Sequence, residues 1–220
     1  MKVILTEDNS HSIYLAELDE TYHSMHGAIQ ESKHVFIDAG LNYWLGKHPN
    51  LPGVKILEFG FGTGLNALLT SFNIDVSIKV DYHTLEKFPL TKEITQSLNY
   101  GAILNRPEVY AKMHNANWNE SQSILPNFSI KKLETDFKDY ISDETFDIIY
   151  FDAFAPSKQP ELWTKSIFEH CYQFLNKGGV LVTYSAKGQL KRDLKSIGYE
   201  VEPLPGPPGK FEITRAVKRS

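Results

Sequence analysis

The sequence predicts an α/β domain, a mostly parallel sheet with helices on both faces and a small N-terminal strand appendage. Three observations predict it. Short apolar runs alternate with helical patterns from Val54 onward, glycines crowd the end of the first run, and later runs also stop at acids. Residues 2 to 6 and 11 to 18 read as two strands around the turn residues Asp8, Asn9 and Ser10, and a helix is predicted from about Glu31 to Trp44. Then come strand 54–59, helix 65–72, strand 78–85 and helix 89–98. Residues 99–127 give no readable period. Strands follow at 130–133, 147–151 and 180–184, with helices at 160–175 and 188–197 and a closing hairpin over 199–217 around PLPGPPGK.

At 220 residues, 41% of them hydrophobic, the chain is expected to form one compact unit, with residues 1–48 as a strand and helix extension packed on a core of residues 49–220. Cys171 is the only cysteine, so no internal disulfide is possible. Met1 to Ser10 lacks the apolar run of a signal peptide and no segment reaches membrane-spanning length, so a reducing, cytoplasmic setting is expected. The net charge of −4 excludes a globally basic nucleic-acid coat. A local patch remains open, because Lys187 to the C-terminus holds eight basic residues against four acids.

Ligands of parallel sheets bind beyond the carboxyl ends of the strands, so the strand ends carry the functional argument. The first ends in ILEFGFGTGLN, with Gly60, Gly62 and Gly64 spaced to make a tight turn open to a ligand. Leu65 stands where a dinucleotide fingerprint places its third glycine, which disfavours nicotinamide binding. Together with Glu58, the turn points to a nucleoside site. Glu86 ends the second strand and can accept from both ribose hydroxyls of an adenosyl group; a surface pair with Lys87 is its simpler use. In LETDF, Asp136 can accept from an adenine amino group while Phe137 covers the ring, although taken alone Asp136 reads as a helix cap.

The ordered segments EFGFGTG, LEKFPLT, TDF, YFDAFAPSKQPELW, TYSAKGQLKRDL and LPGPPGK resemble the methyltransferase domain of the MnmC family, and YHSMHGAIQES at residues 22–32 is similar to that family's N-terminal region. The resemblance implies a Rossmann-like S-adenosylmethionine-dependent methyltransferase fold. It also implies N-methylation of the aminomethyl group on the wobble uridine of tRNA, giving 5-methylaminomethyl(-2-thio)uridine. The family's bifunctional members carry a flavin-dependent oxidase domain, which is expected to be absent here, so a separate enzyme is expected to supply the amine.

On this reading the cofactor contacts are Glu58, Gly60, Gly62, Gly64, Asn66, Glu86, Lys87, Asp136, Phe137 and Asp152. Asp152, at the end of FDIIYF, is the candidate catalytic residue that orients the amine and accepts its proton. Phe154 and Trp163 are candidate walls for a flipped base, and Pro156 and Pro160 stiffen the loop. Lys187, Lys191, Arg192 and Lys210 are expected to form a cationic rim on the anticodon phosphates. No metal is expected, since His23, His26 and His34 lack a ligand spacing. Two other classes stay open: a polyamine aminopropyltransferase, disfavoured by the basic tail, and a noncatalytic S-adenosylmethionine-binding RNA partner.

Overall fold

The computed structural model describes residues 1–219. Strands β1 (Lys2–Leu5), β2 (His11–Leu15) and β3 (Glu20–Thr21) form a small antiparallel sheet of their own. A continuous helix, α1, follows in three pieces: Ala28–Ser32, a π-wound middle Lys33–Asn42, and Tyr43–Lys47. It is longer than the sequence pattern suggests, because Ala28, Val35, Phe36, Ile37, Leu41 and Trp44 are all buried and the apolar stripe therefore lacks a simple 3.6-residue period.

The main sheet has eight strands in the order β10-β11-β9-β8-β4-β5-β7-β6. Its centre is parallel: β4 (Gly53–Phe59) pairs with β5 (Lys79–Glu86) on one side and β8 (Phe146–Phe151) on the other. Strand β7 (Phe128–Glu134) extends it beyond β5, and β9 (Leu175–Thr183) extends it beyond β8. The outer pairings are antiparallel, through β6 (Ser121–Leu125) at one edge and the hairpin β10 (Tyr199–Pro205) and β11 (Glu212–Lys218) at the other.

Both faces of the sheet are covered, which explains why strands such as FDIIYF are apolar at nearly every position. On one face Val54, Ile56, Tyr82, Ile148 and Tyr150 meet α1, helix α2 (Leu65–Phe72) and the short helices α3 (Lys92–Ser97), α4 (Tyr100–Ile103) and α5 (Pro107–Asn115). On the other face Leu57, Phe59, Ile149 and Phe151 meet helices α6 (Lys165–Phe174) and α7 (Gly188–Ile197).

Among the boundaries that differ from the sequence reading, three have a clear physical reason. Residues 99–127 hold α4, α5 and β6, elements too short to show a period. The helix expected over 160–175 is a short 3-10 turn, Pro160–Leu162, and then α6, because Thr164 is extended between them. Strand β9 begins at Leu175 and not at Val180. Leu175 pairs with Phe146, and an irregularity with Gly178 at φ +75° follows before pairing resumes at Val180, so the sequence looks like a turn. Among the described residues no helix is long and apolar enough to cross a membrane.

Phe151 is fully buried and its ring contacts those of Phe59, Trp163 and Phe168 at centroid distances of 5.2, 5.0 and 4.9 Å. Phe151→Ala is expected to lower unfolding free energy by about 3–5 kcal/mol. Urea denaturation measures this, and a loss below about 1 kcal/mol would mean that the cavity collapses freely.

Candidate functional site

Register brings the predicted strand ends together. Phe59 is paired with Leu85 on one side and Phe151 on the other, so Gly60, Glu86 and Asp152 leave the sheet at the same level. The backbone locks this edge: Gly60 and Phe61 donate to Leu85 O, and Asp152 donates to Phe59 O at 3.0 Å. Glu86 is in turn paired with Glu134, two residues before Asp136. From here the chain leaves β4 through α2 to β5 on one side and leaves β8 through α6 to β9 on the other, which opens a crevice between the two strand ends.

A cavity of about 710 Å³ fills that crevice, within the roughly 300–1,000 Å³ typical of small-molecule sites. Gly60, Gly62, Asn66, Glu86, Lys87, Asp136, Phe137, Asp152, Phe154 and Lys210 all line it. Gly60 has φ +98°, and a Cβ there would lie 2.7 Å from the carbonyl oxygen of Asp152, so only glycine lets the two strand ends approach. The Gly62 amide donates to Glu86 Oε2 at 3.0 Å, and the Phe88 amide donates to Oε1 at 2.9 Å. Each carboxylate oxygen keeps a second lone pair for a ligand hydroxyl. Burial holds the Glu86 carboxyl above its ordinary pKa despite these amides.

Asp152 is the most perturbed acid on the cavity surface. Burial raises its pKa to about 7, opposed by the Asn66 amide, which donates from Nδ2 to Oδ2 at 2.8 Å. Asp136 accepts from Lys87 Nζ at 2.7 Å and from the Lys138 amide at 3.0 Å. Phe137 packs edge-on against Phe59, at a centroid distance of 5.1 Å. Phe154 meets Tyr22 edge-on at 4.9 Å.

Several expected contacts sit elsewhere. Glu58 is fully buried beneath the cavity and bonded to Thr84, because inward-facing positions of β4 lie inside the sheet sandwich. Gly64 starts α2 with φ +72°; the space beside it is taken by Phe61 and His114, away from the cavity. Pro156 does not line the cavity, although its neighbour Ala155 does. Trp163 is core: 9% exposed, it donates from Nε1 to Phe154 O at 2.7 Å and so fixes the loop. Lys187, Lys191 and Arg192 lie outside the cavity. Lys191 is drawn into an ion pair with Glu212, and Lys210 points inward, paired with Glu31 and 4.0 Å from the Tyr184 ring centroid.

The sequence reading missed the share of the N-terminal segment. Tyr22, His23, Ser24 and Glu31 line the cavity, with His23 Nε2 2.8 Å from Thr63 Oγ1. Lys158 Nζ donates to Asp19 O at 2.9 Å, tying the loop after β8 to the small sheet. Their signal lay in YHSMHGAIQES, which periodicity alone does not interpret. Among the described residues one cluster has donors close enough for a metal ion, Asp81, His83 and Glu144, and Lys55 sits there with Nζ 3.0 Å from Glu144.

A family model for S-adenosyl-L-methionine-dependent methyltransferases matches residues 109–219, half of the chain. The chain belongs to this methyltransferase family. It is 28% identical over 90% of its length to the tRNA 5-methylaminomethyl-2-thiouridine biosynthesis bifunctional protein MnmC of Marinomonas sp. (strain MWYL1). It spans only 31% of that relative, about a third of its length. Among solved structures, MNMC2 from Aquifex aeolicus superposes with a TM-score of 0.76 at 24% identity, covering 98% of this chain and 69% of that one. Spermidine synthase from Thermotoga maritima shares the fold, with a TM-score of 0.60 at 17% identity over 99% of this chain and 73% of that one. The methyltransferase cavity fits S-adenosylmethionine: a glycine turn that excludes side chains, a half-buried acid with lone pairs left for hydroxyls, and a second acid beside an aromatic ring.

Buried acids set the methyltransferase's stability against pH. Burial raises Glu58 to about 8 and Asp152 to about 7, so folding favours their protonated forms. The stability this lends is complete below their ordinary values and is lost as pH rises through 7 and 8. His23 and His114, held down to about 4 by burial, act oppositely and lose their contribution as pH falls below 6.5. The melting temperature is therefore expected to fall between pH 6.5 and 8, and Glu58→Gln, neutral at every pH, to fall less steeply. Parallel slopes for the two proteins would mean that Glu58 stays ionised in the fold.

Proposed function

We propose that this methyltransferase transfers the methyl group of S-adenosylmethionine to the aminomethyl nitrogen on the wobble uridine of tRNA, giving the 5-methylaminomethyl or 5-methylaminomethyl-2-thio form. The observation that carries the proposal is a half-buried acid, Asp152, on the wall of the cavity that the glycine turn opens, with the Phe154 ring beside it. The tRNA 5-methylaminomethyl-2-thiouridine biosynthesis carried out by the MnmC relatives supplies the substrate class.

The cofactor provides an electrophilic methyl on a sulfonium. Glu86 would accept hydrogen bonds from the ribose hydroxyls, Asp136 would accept one from the adenine amino group and Phe137 would cover the ring, while the glycine turn and Asn66 would leave room along the backbone. Lys87 keeps Asp136 ionised. Alkylation needs the neutral amine, and a primary alkylamine has a pKa of about 10 by comparison with lysine. Asp152 accepts a hydrogen bond from the amine, directs its lone pair and takes its proton. A pKa near 7 suits that exchange, since the group can both accept and release a proton at neutral pH. Phe154 and Tyr22 form the apolar wall for the base.

In this proposal the N-terminal extension, residues 1–48, belongs to the substrate wall of the core, residues 49–220. Lys187 and Arg192, which have no acidic partner within 4.0 Å among the described residues, are the cations for anticodon phosphates; Lys210 and Lys191 are held by acids and contribute less. The reaction runs in the cytoplasm with tRNA, needs no metal and takes its amine from a separate enzyme. The test is mass spectrometry of nucleosides after purified protein, S-adenosylmethionine and tRNA bearing 5-aminomethyl-2-thiouridine are combined. One added methyl on that nucleoside is expected. An unchanged nucleoside, alongside an aminopropylated polyamine made from decarboxylated S-adenosylmethionine, would move the protein to the aminopropyltransferases; inertness with both would leave a binding module.

Asp152→Asn is expected to keep S-adenosylmethionine affinity while the single-turnover rate falls by about a hundredfold, the lower range for positioned acid–base groups. A normal chemical step would remove Asp152 from the mechanism. Glu86→Ala and Asp136→Ala are each expected to weaken cofactor binding by about 1.5–3 kcal/mol in calorimetry. Wild-type affinity in both folded variants would sink the adenosyl assignment.

A further inference from the structure

Glu58 is a buried carboxyl that the proposed chemistry leaves unused. Strand register sets it between Thr84 of β5 and Tyr150 of β8. Thr84 Oγ1 donates to its Oε2 at 2.7 Å. The side chains of Asn66 and Tyr82 lie beside the same carboxyl, and neither makes a hydrogen bond to it. Its other oxygen, Oε1, is shut off from solvent without a partner, and so is Asn66 Oδ1. The Asn66 amide nitrogen is already committed to Asp152.

Two bare acceptor oxygens in one dry space repel each other, and each forfeits its hydrogen bond to water. A single proton between them satisfies both. We propose that Glu58 is a neutral carboxylic acid that donates from Oε1 to Asn66 Oδ1, and so holds the Asn66 amide with its N–H group on Asp152. Glu58 is then a positioning residue for Asp152, acting through Asn66. The hydroxyl oxygen at Oε1 still offers a lone pair to the Tyr82 O–H, whose oxygen likewise lacks a partner.

The surroundings agree with a proton at Glu58. The groups that face it are Thr84 and Tyr82 from β5, Tyr150 from β8, Asp152 after β8 and Asn66 from α2, and none is a cation. Burial raises its pKa to about 8, with the Asp152 charge adding to the rise. The opposite amide orientation would set Asn66 Oδ1 against Asp152 Oδ2, two acceptors, and is permitted only when Asp152 carries the proton. A fixed proton on Glu58 thus keeps Asp152 available as an acceptor.

This inference rests on the reading of Asp152 as the group that handles the amine, and its test separates the two. In Glu58→Gln the amide N–H replaces the acid O–H toward Asn66 and the amide oxygen still accepts from Thr84; in Glu58→Leu neither contact is made. Glu58→Leu is expected to lose at least about tenfold in single-turnover rate, with the pH limb of Asp152 moved upward, and Glu58→Gln to recover most of that rate with the wild-type limb. Calorimetry should give both variants wild-type affinity for S-adenosylmethionine. In infrared difference spectra at neutral pH, wild type minus Glu58→Gln should contain the C=O stretch of a protonated acid. Glu58→Gln as slow as Glu58→Leu, a full rate in Glu58→Leu, or a missing acid band would each overturn the proposal. If Glu58→Leu does not fold, Glu58→Gln and the band still decide. Should wild type methylate nothing, the substrate reading fails, while the band alone still reports whether Glu58 holds its proton.

Discussion

The parallel pairing of β4 with a strand on each side is the constraint on which the rest depends. Because Phe59 is aligned with Leu85 and with Phe151, the residues next after these three, Gly60, Glu86 and Asp152, must emerge at one level. A slip of one residue at either pairing would turn Glu86 or Asp152 from the crevice into the sheet sandwich. The backbone bond from Asp152 to Phe59 O and the missing Cβ at Gly60 make the alignment mutual, since neither strand end can shift without striking the other.

Burial then gives the acids of this edge different characters. Glu86 is surrounded by amides, Asp136 is neutralised by Lys87, Asp152 is left with one amide, and Glu58 lies a layer deeper with one hydroxyl. In the proposed reaction the same residue types therefore take three roles, holding a nucleoside, meeting an amine and carrying a proton, according to the donors that reach them. Glutamate at position 58 and glutamate at position 86 look alike in the sequence. Only the inward direction of the side chain on β4 separates them.

Much of the fold was legible because its signals are local. Helices at 65–72 and 188–197 have the predicted bounds, and the strand ends at Phe59 and Phe151 are marked by glycine or acid directly after an apolar run. Residues 99–127 were not legible, because α4 is four residues long and gains its order from packing against α5 rather than from its own period. In the site, the cavity residues after each strand were legible for the same local reason. The role of Lys210 was not: its charge suggests an outward phosphate contact, and only the hairpin geometry brings it to Glu31, far away in sequence. Tyr22 and His23 were equally hidden, since a three-stranded appendage gives no sign of which neighbour it covers.

The contact between Lys210 and Glu31 also bears on how the molecule is made. One wall of the cavity comes from the helix that holds Glu31, and its counter-charge comes from the hairpin that holds Lys210, which leaves the ribosome much later. Until that hairpin pairs with β9, Glu31 faces the crevice without its cation and the sheet ends at an uncovered edge. The glycine turn and Glu86 are complete much earlier, in the first half of the chain. On the proposed reading, the nucleoside half of the crevice can therefore form earlier in synthesis, whereas the half that meets the amine closes only after the hairpin has emerged.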